Sequence, residues 1–448
     1  MTSEILDINE ATIIDESIES YQFVEQLPEA GEANINTPGT EINITFNNSS
    51  NFILPSESYL RIEGQFNTAA GAAWASTANG SAIAFVNNGI LNLFSNFKYE
   101  LADTIIEYFE NAGLTTTTHN YLTKSRTYQG LDWFWKPDEL TPATTTNNIS
   151  FLTRNNLTYA TDPGVWYFSA CVPLRVIFNF CNDYTKVMWG LKQRIRMTRA
   201  TSTRALVRVN AAIAANGVLT PGGGLTAVAN DAVINLTTLR WVMPVVKPNP
   251  MNEQTLLSIV GNSGQFIDVT FLNKRTNSIT VPQATTFTWP LATTSGVERP
   301  RYIVIIFQVG TYTDQTFNSS AFSSNPNVLG AYITLSGVKY PSIDMNTDTT
   351  LNRYTKWYRE YKRFFNKYNQ NNRGEPCLSY TDFIRIAPMY IFDVSNQTEN
   401  LKRAAVDATL FMTFGAAVVA NTTAYSIIYF DSRYEVSSTQ IRPLTQIL

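Results

Sequence analysis

Histidine is almost absent from this sequence, since His119 is the only one in 448 residues. A nucleophile–histidine–acid triad would have to use it. It sits in Thr115-Thr-Thr-Thr-His119-Asn-Tyr121 on an expected helix, with no G-x-S-x-G elbow or cysteine signature nearby. Cysteine is scarce as well. Cys171, Cys181 and Cys377 are odd in number and lack C-x-x-C spacing, which argues against a disulfide scaffold. One histidine and three scattered cysteines cannot build a metal site. The run Pro221-Gly-Gly-Gly224 lacks the Lys-Ser/Thr of a phosphate loop and reads as a loop tip. A glycan-active site needs paired carboxylates in a groove, and Asp132 with Asp138-Glu139 gives only a faint hint of one. No catalytic, metal-binding or cofactor-binding residue is expected, and the chain reads as no enzyme.

Charge is also thin. Charged residues make up 15% of the chain, against the usual quarter, and the net charge is -3. That balance gives no reason to expect a global nucleic-acid or membrane binder. The longest apolar runs are about eight residues, far short of a membrane span. The first residues lack the Lys/Arg start and apolar core of a secretory signal peptide, so work in the nucleus or cytoplasm is expected. No basic residue precedes Arg61, whereas Glu4, Asp7, Glu10, Asp15, Glu16, Glu19, Glu25, Glu29 and Glu32 crowd the start. Residues 1–37 therefore read as an acidic N-terminal arm, either a solvated tail or a segment that orders against a neighbour.

What is abundant is Thr, Asn, Ser, Val, Ile and aromatic residues, the last at 12%. This mixture favours sheets joined by long polar loops. Period-two alternation predicts strands at 41–46, 59–66, 165–170, 187–197 and 239–246 in the first half. In the second half it predicts strands at 266–272, 286–291, 301–309, 389–394, 406–414 and 424–430. Apolar content adds 174–180 and 380–386 as strands, and short helices are expected at 115–124 and 252–259. The Thr/Asn-rich stretch Thr127–Pro163, with Trp133, Phe134 and Trp135, reads as functional surface, and Ala211–Ala229 as a flexible loop. Lys247-Pro-Asn-Pro250 marks a boundary, giving units at 38–248 and 249–448.

The two halves repeat the same events in the same order. Tyr59-Leu-Arg-Ile answers Tyr302-Ile-Val-Ile. The hairpin tip Leu101-Ala-Asp answers Leu335-Ser-Gly, each followed by a helix, and Pro173-Leu-Arg-Val answers Pro388-Met-Tyr-Ile. Seven or more short strands with long loops and a helix per half describe an all-β chain of two tandem jelly-roll β-sandwiches, a double jelly roll, though other sandwiches fit the pattern too.

Two basic features stand out. Lys192, Arg194 and Arg196 alternate along a strand and share one face, opposite Leu191, Ile195 and Met197. Arg199, Arg204 and Arg208 extend this patch, which reads as a solvated face or an intersubunit salt-bridge seam, or else as an inner face touching packaged genome. The second feature is Leu351–Tyr368, an expected helix with an aromatic stripe (Tyr354, Trp357, Tyr358, Tyr361, Phe364, Phe365, Tyr368) and six basic residues on the remainder. Such a stripe most simply docks the helix onto its own sheet.

Several segments carry a resemblance to a known family. They are Val86-Asn-Asn-Gly-Ile-Leu-Asn-Leu-Phe94 with Tyr99-Glu-Leu101, Leu239-Arg-Trp-Val-Met-Pro-Val-Val246, Glu298-Arg-Pro-Arg-Tyr-Ile-Val304, Lys339-Tyr-Pro341, Phe392-Asp-Val-Ser-Asn-Gln-Thr-Glu399 and Thr422-Thr-Ala-Tyr-Ser-Ile-Ile428. Together they resemble the double jelly-roll, hexon-like major capsid proteins of polinton- and adintovirus-like elements. The resemblance implies a structural virion protein whose homotrimers form pseudo-hexameric capsomers that self-assemble into an icosahedral capsid. It implies neighbouring capsomers and penton or minor capsid proteins as partners, non-specific contact with packaged DNA, and no cofactor or membrane span. A host-resident copy acting as a protein- or glycan-binding module through exposed Trp133 and Trp135 is the alternative reading.

Overall fold

The computed structural model describes residues 17–47, 51–74, 82–138, 149–160, 165–201, 204–209, 212–213, 219–220, 232–260, 266–291, 300–309, 320, 322, 326–370, 374–396, 407–437 and 441–443. Eight strands of the first half build two facing sheets. They are β1 (Ile18–Gln26), β2 (Glu41–Phe46), β3 (Tyr59–Thr68), β4 (Phe94–Leu101), β5 (Thr104–Glu110), β6 (Val165–Pro173), β7 (Gln193–Arg199) and β8 (Ala232–Pro248). The second half supplies β9 (Ile267–Thr280), β10 (Thr286–Leu291), β11 (Pro300–Val309), β12 (Val328–Leu335), β13 (Val338–Tyr340), β14 (Tyr390–Asp393), β15 (Ala408–Phe414) and β16 (Thr422–Val436).

The sheet orders are β1-β8-β3-β6 with β2-β7-β4-β5, and β9-β16-β11-β14 with β10-β15-β12-β13. Each order in one half is the order in the other, and every pairing is antiparallel. The fold is a double jelly roll. The hairpin tips correspond in backbone as well as in place. Ala102 and Asp103 both take positive φ, as do Ser336 and Gly337, the conformation a two-residue turn needs to match strand twist. One helix follows each hairpin: α1 (Ala112–Thr123) after β5 and α2 (Thr355–Tyr368) after β13.

Alternation explains the sandwich. Ile42, Ile44 and Phe46 of β2, Leu60, Ile62 and Phe66 of β3, and Ile195 and Met197 of β7 point inward, while their neighbours point out. Helix α1 is a less obvious product of its sequence, because a run of four threonines disfavours helix. All twelve of its residues are buried. The hydroxyls of Thr116, Thr117, Thr118 and Thr123 donate to carbonyls four residues back, at 2.6, 2.6, 2.8 and 2.8 Å, so none is left unbonded in the core. Helix α2 docks through its aromatic stripe, as expected. Trp357 meets Tyr390 and Phe392 at 5.1 and 5.4 Å between ring centroids, and Phe364 meets Tyr302 at 4.7 Å.

Four expectations need correction. The acidic segment is no loose tail from Ile18 onward, because β1 pairs along β8 of its own chain. Residues 174–180 form two short helices, Leu174–Ile177 and Asn179–Asp183, where a strand was expected. A run in which only Arg175 is exposed carries no period to distinguish the two, and Pro173 starts the helical turn. Tyr380–Arg385 is also a helix. Ser379 caps it by accepting the Asp382 N–H at 3.2 Å, an S-x-x-D signature that outweighs the apolar content of the run. By register, Pro173 is the β6 partner of Tyr59 while Asp393 is the β14 partner of Tyr302, so Pro173 corresponds to Asp393 and not to Pro388.

Candidate functional site

The two barrels share one continuous hydrophobic core. The seam between them holds a set of buried polar contacts. On the first barrel, Glu107 of β5 is fully buried, and its carboxylate accepts the N–H groups of Asn179 and Phe180 at 3.1 and 3.0 Å. On the second barrel, Lys274 of β9 is equally buried and pairs with Glu107 at 2.7 Å. Its ammonium also donates to the Ile177 carbonyl and to Asn179 Oδ1, at 2.8 and 2.9 Å, and lies over the Phe109 ring. Burial lowers the Lys274 pKa, while Glu107 acts against that shift. Asn273 Nδ2 donates to the Ile106 carbonyl at 2.9 Å, and Asn179 Nδ2 to the Leu272 carbonyl at 2.6 Å. With both charges bonded in this way, the pair ties β9 of the second barrel to β5 and residues 177–180 of the first.

Helices α1 and α2 extend the seam. The Tyr361 hydroxyl donates to the Tyr121 carbonyl at 2.7 Å and accepts the Leu378 N–H at 3.1 Å. Asn369 Nδ2 donates to the Thr123 carbonyl at 3.0 Å, and the Thr115 and Thr276 hydroxyls lie 2.8 Å apart. The lone histidine belongs here too. His119 Nδ1 is 3.1 Å from the Tyr429 hydroxyl, and its ring packs edge-on to Tyr368. Burial, with Lys274 and then Lys124 nearby, holds its pKa well below the usual histidine range, so it folds neutral. An unfolded chain takes up a proton near pH 6.5 that the folded chain refuses, so stability falls as pH drops below that value. Between pH 7 and pH 5, wild-type stability is expected to fall by about 2 kcal/mol more than that of His119→Gln, as read by urea denaturation at each pH. Equal slopes would contradict this.

The basic strand residues do not form an open cationic face. Lys192 is 3.1 Å from Asp103. Arg194 pairs with Glu100 at 3.3 Å, Asp103 at 3.6 Å and Glu29 at 3.8 Å, and donates to Thr45 Oγ1 at 3.1 Å. Arg196 lies 2.9 Å from Glu100 and 3.8 Å from Glu41. Arg199 does not join them: its odd position puts it on the inward face, where it donates to the Leu93 and Ile234 carbonyls at 2.7 and 3.3 Å. Burial pushes its pKa down to about 10. Arg204 is half-buried, and Arg208 lies on the short strand Leu206–Val209 paired with Ala82–Phe85.

The Thr127–Pro163 stretch is not a display surface where it is described. Trp133, Phe134 and Trp135 are buried, the two indoles stacked at 5.3 Å, so they offer no exposed glycan platform. Asp138 is tied to buried Arg154 at 2.8 Å, and burial raises the Asp132 pKa, while Glu139 lies outside the described residues. The Pro221–Gly224 tip also lies outside them. Among the described residues no cluster of His, Cys, Asp and Glu could hold a metal ion, and no helix is long and apolar enough to cross a membrane. Glu107 and Lys274 escaped sequence reasoning because each sits singly in an ordinary strand, 167 positions from its partner.

A family model described as the double jelly roll-like domain matches residues 83–433. The chain belongs to that family. No curated protein sequence matches it. Among solved structures, the double jelly roll superposes on the PBCV-1 virus capsid with a TM-score of 0.54 at 10% identity, over 97% of this chain and 99% of that one. It superposes on the Sputnik virophage structure at 0.58 and 10%, over 100% and 93%, and on the mavirus major capsid protein at 0.55 and 11%, over 100% and 94%. At these identities the likeness is one of fold.

Proposed function

We propose that this chain is a viral major capsid protein of the polinton/adintovirus-like kind, whose work is self-assembly and not catalysis. The observation that carries the reading is the doubled barrel itself. Two sandwiches with one strand order are locked by a buried seam, and the same architecture runs through nearly the whole length of capsid proteins of PBCV-1 and mavirus. Three copies around a threefold axis bring six similar barrels together, so a trimer approximates a hexagon and can tile an icosahedral shell. The units are the first barrel up to Pro248 and the second from residue 249, with β1 counted in the first. Neighbouring capsomers and penton or minor capsid proteins are the partners, and the virion capsid is the location, assembled in the host nucleus or cytoplasm.

Lys192, Arg194 and Arg196 face four carboxylates of their own chain, Glu29, Glu41, Glu100 and Asp103. That neutralised lattice favours a solvated or intersubunit sheet face over contact with packaged DNA, whose phosphates need uncompensated cations. The experiment is sizing and electron microscopy of the purified chain. A species of about 150 kDa, three times the 50.2 kDa chain, with hexagonal outline is expected. A stable monomer forming no larger assembly would overturn the proposal.

A further inference from the structure

A cavity of about 430 Å3 lies where the C-terminal ends of α1 and α2 meet at the seam. The first barrel lines it with His119, Lys124 and Arg175, the second with Tyr368, Asn369 and Gln370. Among the described residues no Asp or Glu lines it. The Lys124 ammonium lies 4.9 Å from the centroid of the Tyr128 ring and makes no ion pair with a described residue. Arg175 has one ion pair, a half-exposed contact with Glu57 at 3.6 Å, of the kind worth little. Nearby Asp183 is engaged elsewhere, accepting the Leu272 N–H at 2.9 Å. Burial, with Arg175 adding repulsion, pushes the Lys124 amine down to about 8. Two cations thus line a polar recess to which no described Asp or Glu contributes a carboxylate, the carbonyl ends of α1 and α2 offsetting only part of their charge.

We propose that this cavity binds a small phosphate-class oxyanion, held by Lys124 and Arg175 and bridging the two barrels. A dianion matches the two charges, and a guanidinium can engage two of its oxygens at once. The Gln370 side chain makes no bond to described residues and supplies a further donor from the second barrel. Pockets of this size hold an oxyanion together with its waters or a second phosphate group. Because residues of both barrels close on it, the bound anion adds a second electrostatic staple to the seam.

The test is thermal unfolding of the full chain, in whatever oligomer it forms, with inorganic phosphate, pyrophosphate or a short single-stranded DNA. Sodium chloride holds ionic strength constant. Free phosphate and pyrophosphate are expected to raise the midpoint saturably, since a ligand that binds only the folded state stabilises it by mass action. In Lys124→Met and in Arg175→Gln the half-saturating concentration is expected to rise about tenfold or more. The variants also correct for the general stabilising effect of phosphate as an excluded salt. Line broadening of the phosphorus-31 signal, measured with wild type and with the exposed Arg175→Gln variant, decides the matter if Lys124→Met does not fold. A midpoint no higher in phosphate than in chloride, an equal rise in both variants, or a rise with DNA alone would each overturn the proposal.

Discussion

Lys274→Met is expected to lower the free energy of unfolding by roughly 3–5 kcal/mol, the range for breaking a buried ion pair from one side. The loss is large because Glu107 stays behind at the seam, fully buried, with its countercharge removed. Glu107→Gln should cost a similar amount for the converse reason, leaving the buried Lys274 ammonium with neutral oxygens alone, those of Ile177 and Asn179 among them. Against a total stability of about 5–15 kcal/mol, either change removes a large share. The double variant Glu107→Leu/Lys274→Met should recover only part of the loss. Removing both charges ends the electrostatic penalty, but the N–H groups of Asn179 and Phe180 lose their acceptor, at about 1–3 kcal/mol each. Denaturant unfolding of the three variants reads this directly. A loss below about 1 kcal/mol in both single variants would show that the seam does not depend on the pair.

Much of the architecture could be read from the residues, and the exceptions share a cause. Alternation along 41–46, 59–66 and 286–291 worked because each strand has one wet and one dry face. It failed at 174–180, where Leu174, Val176, Ile177, Phe178 and Phe180 are all buried and Arg175 alone is exposed, so no wet face recurs to set a period. At 380–386 the signal was present and passed over, since Ser379-Tyr-Thr-Asp382 is a helix start written in the sequence. Trp133 and Trp135 do not match the surface that a Thr/Asn-rich setting suggests, because they are buried against each other, Trp135 also against Tyr121 of α1. Lys192, Arg194 and Arg196 alternate with the buried positions of β7 as their spacing says, but a strand alone cannot announce the carboxylates beside it. Glu100 comes from β4, next to β7 in the sheet and about ninety positions away in the chain.

Deleting residues 1–26 is expected to destabilise the first barrel by several kcal/mol and to make the chain aggregate. By composition the acidic segment reads as a solvated tail or an arm for a neighbour, yet β1 holds the place in the first barrel that β9 holds in the second, each lying against the long strand next to the sheet centre. Its ladder runs from Ile18 opposite Pro248 to Gln26 opposite Trp241. At about 0.5–1.5 kcal/mol net per hydrogen bond, that ladder alone is a substantial fraction of domain stability. Removing it also opens the β8 edge, a template for pairing with other chains. The acidic side chains are a smaller part of the attachment. Glu25 lies 3.2 Å from Arg61 and 2.8 Å from Arg240, and Glu19 lies 2.9 Å from Lys247, but all are well exposed to solvent. Exposed pairs contribute about 0–1 kcal/mol each, so Glu19→Gln/Glu25→Gln should cost far less than the deletion. The carboxylates add charge contacts to Arg61, Arg240 and Lys247 along a strand that the backbone ladder holds in place. A truncated chain that stays soluble, with its unfolding midpoint unchanged, would show that β8 needs no partner on that side.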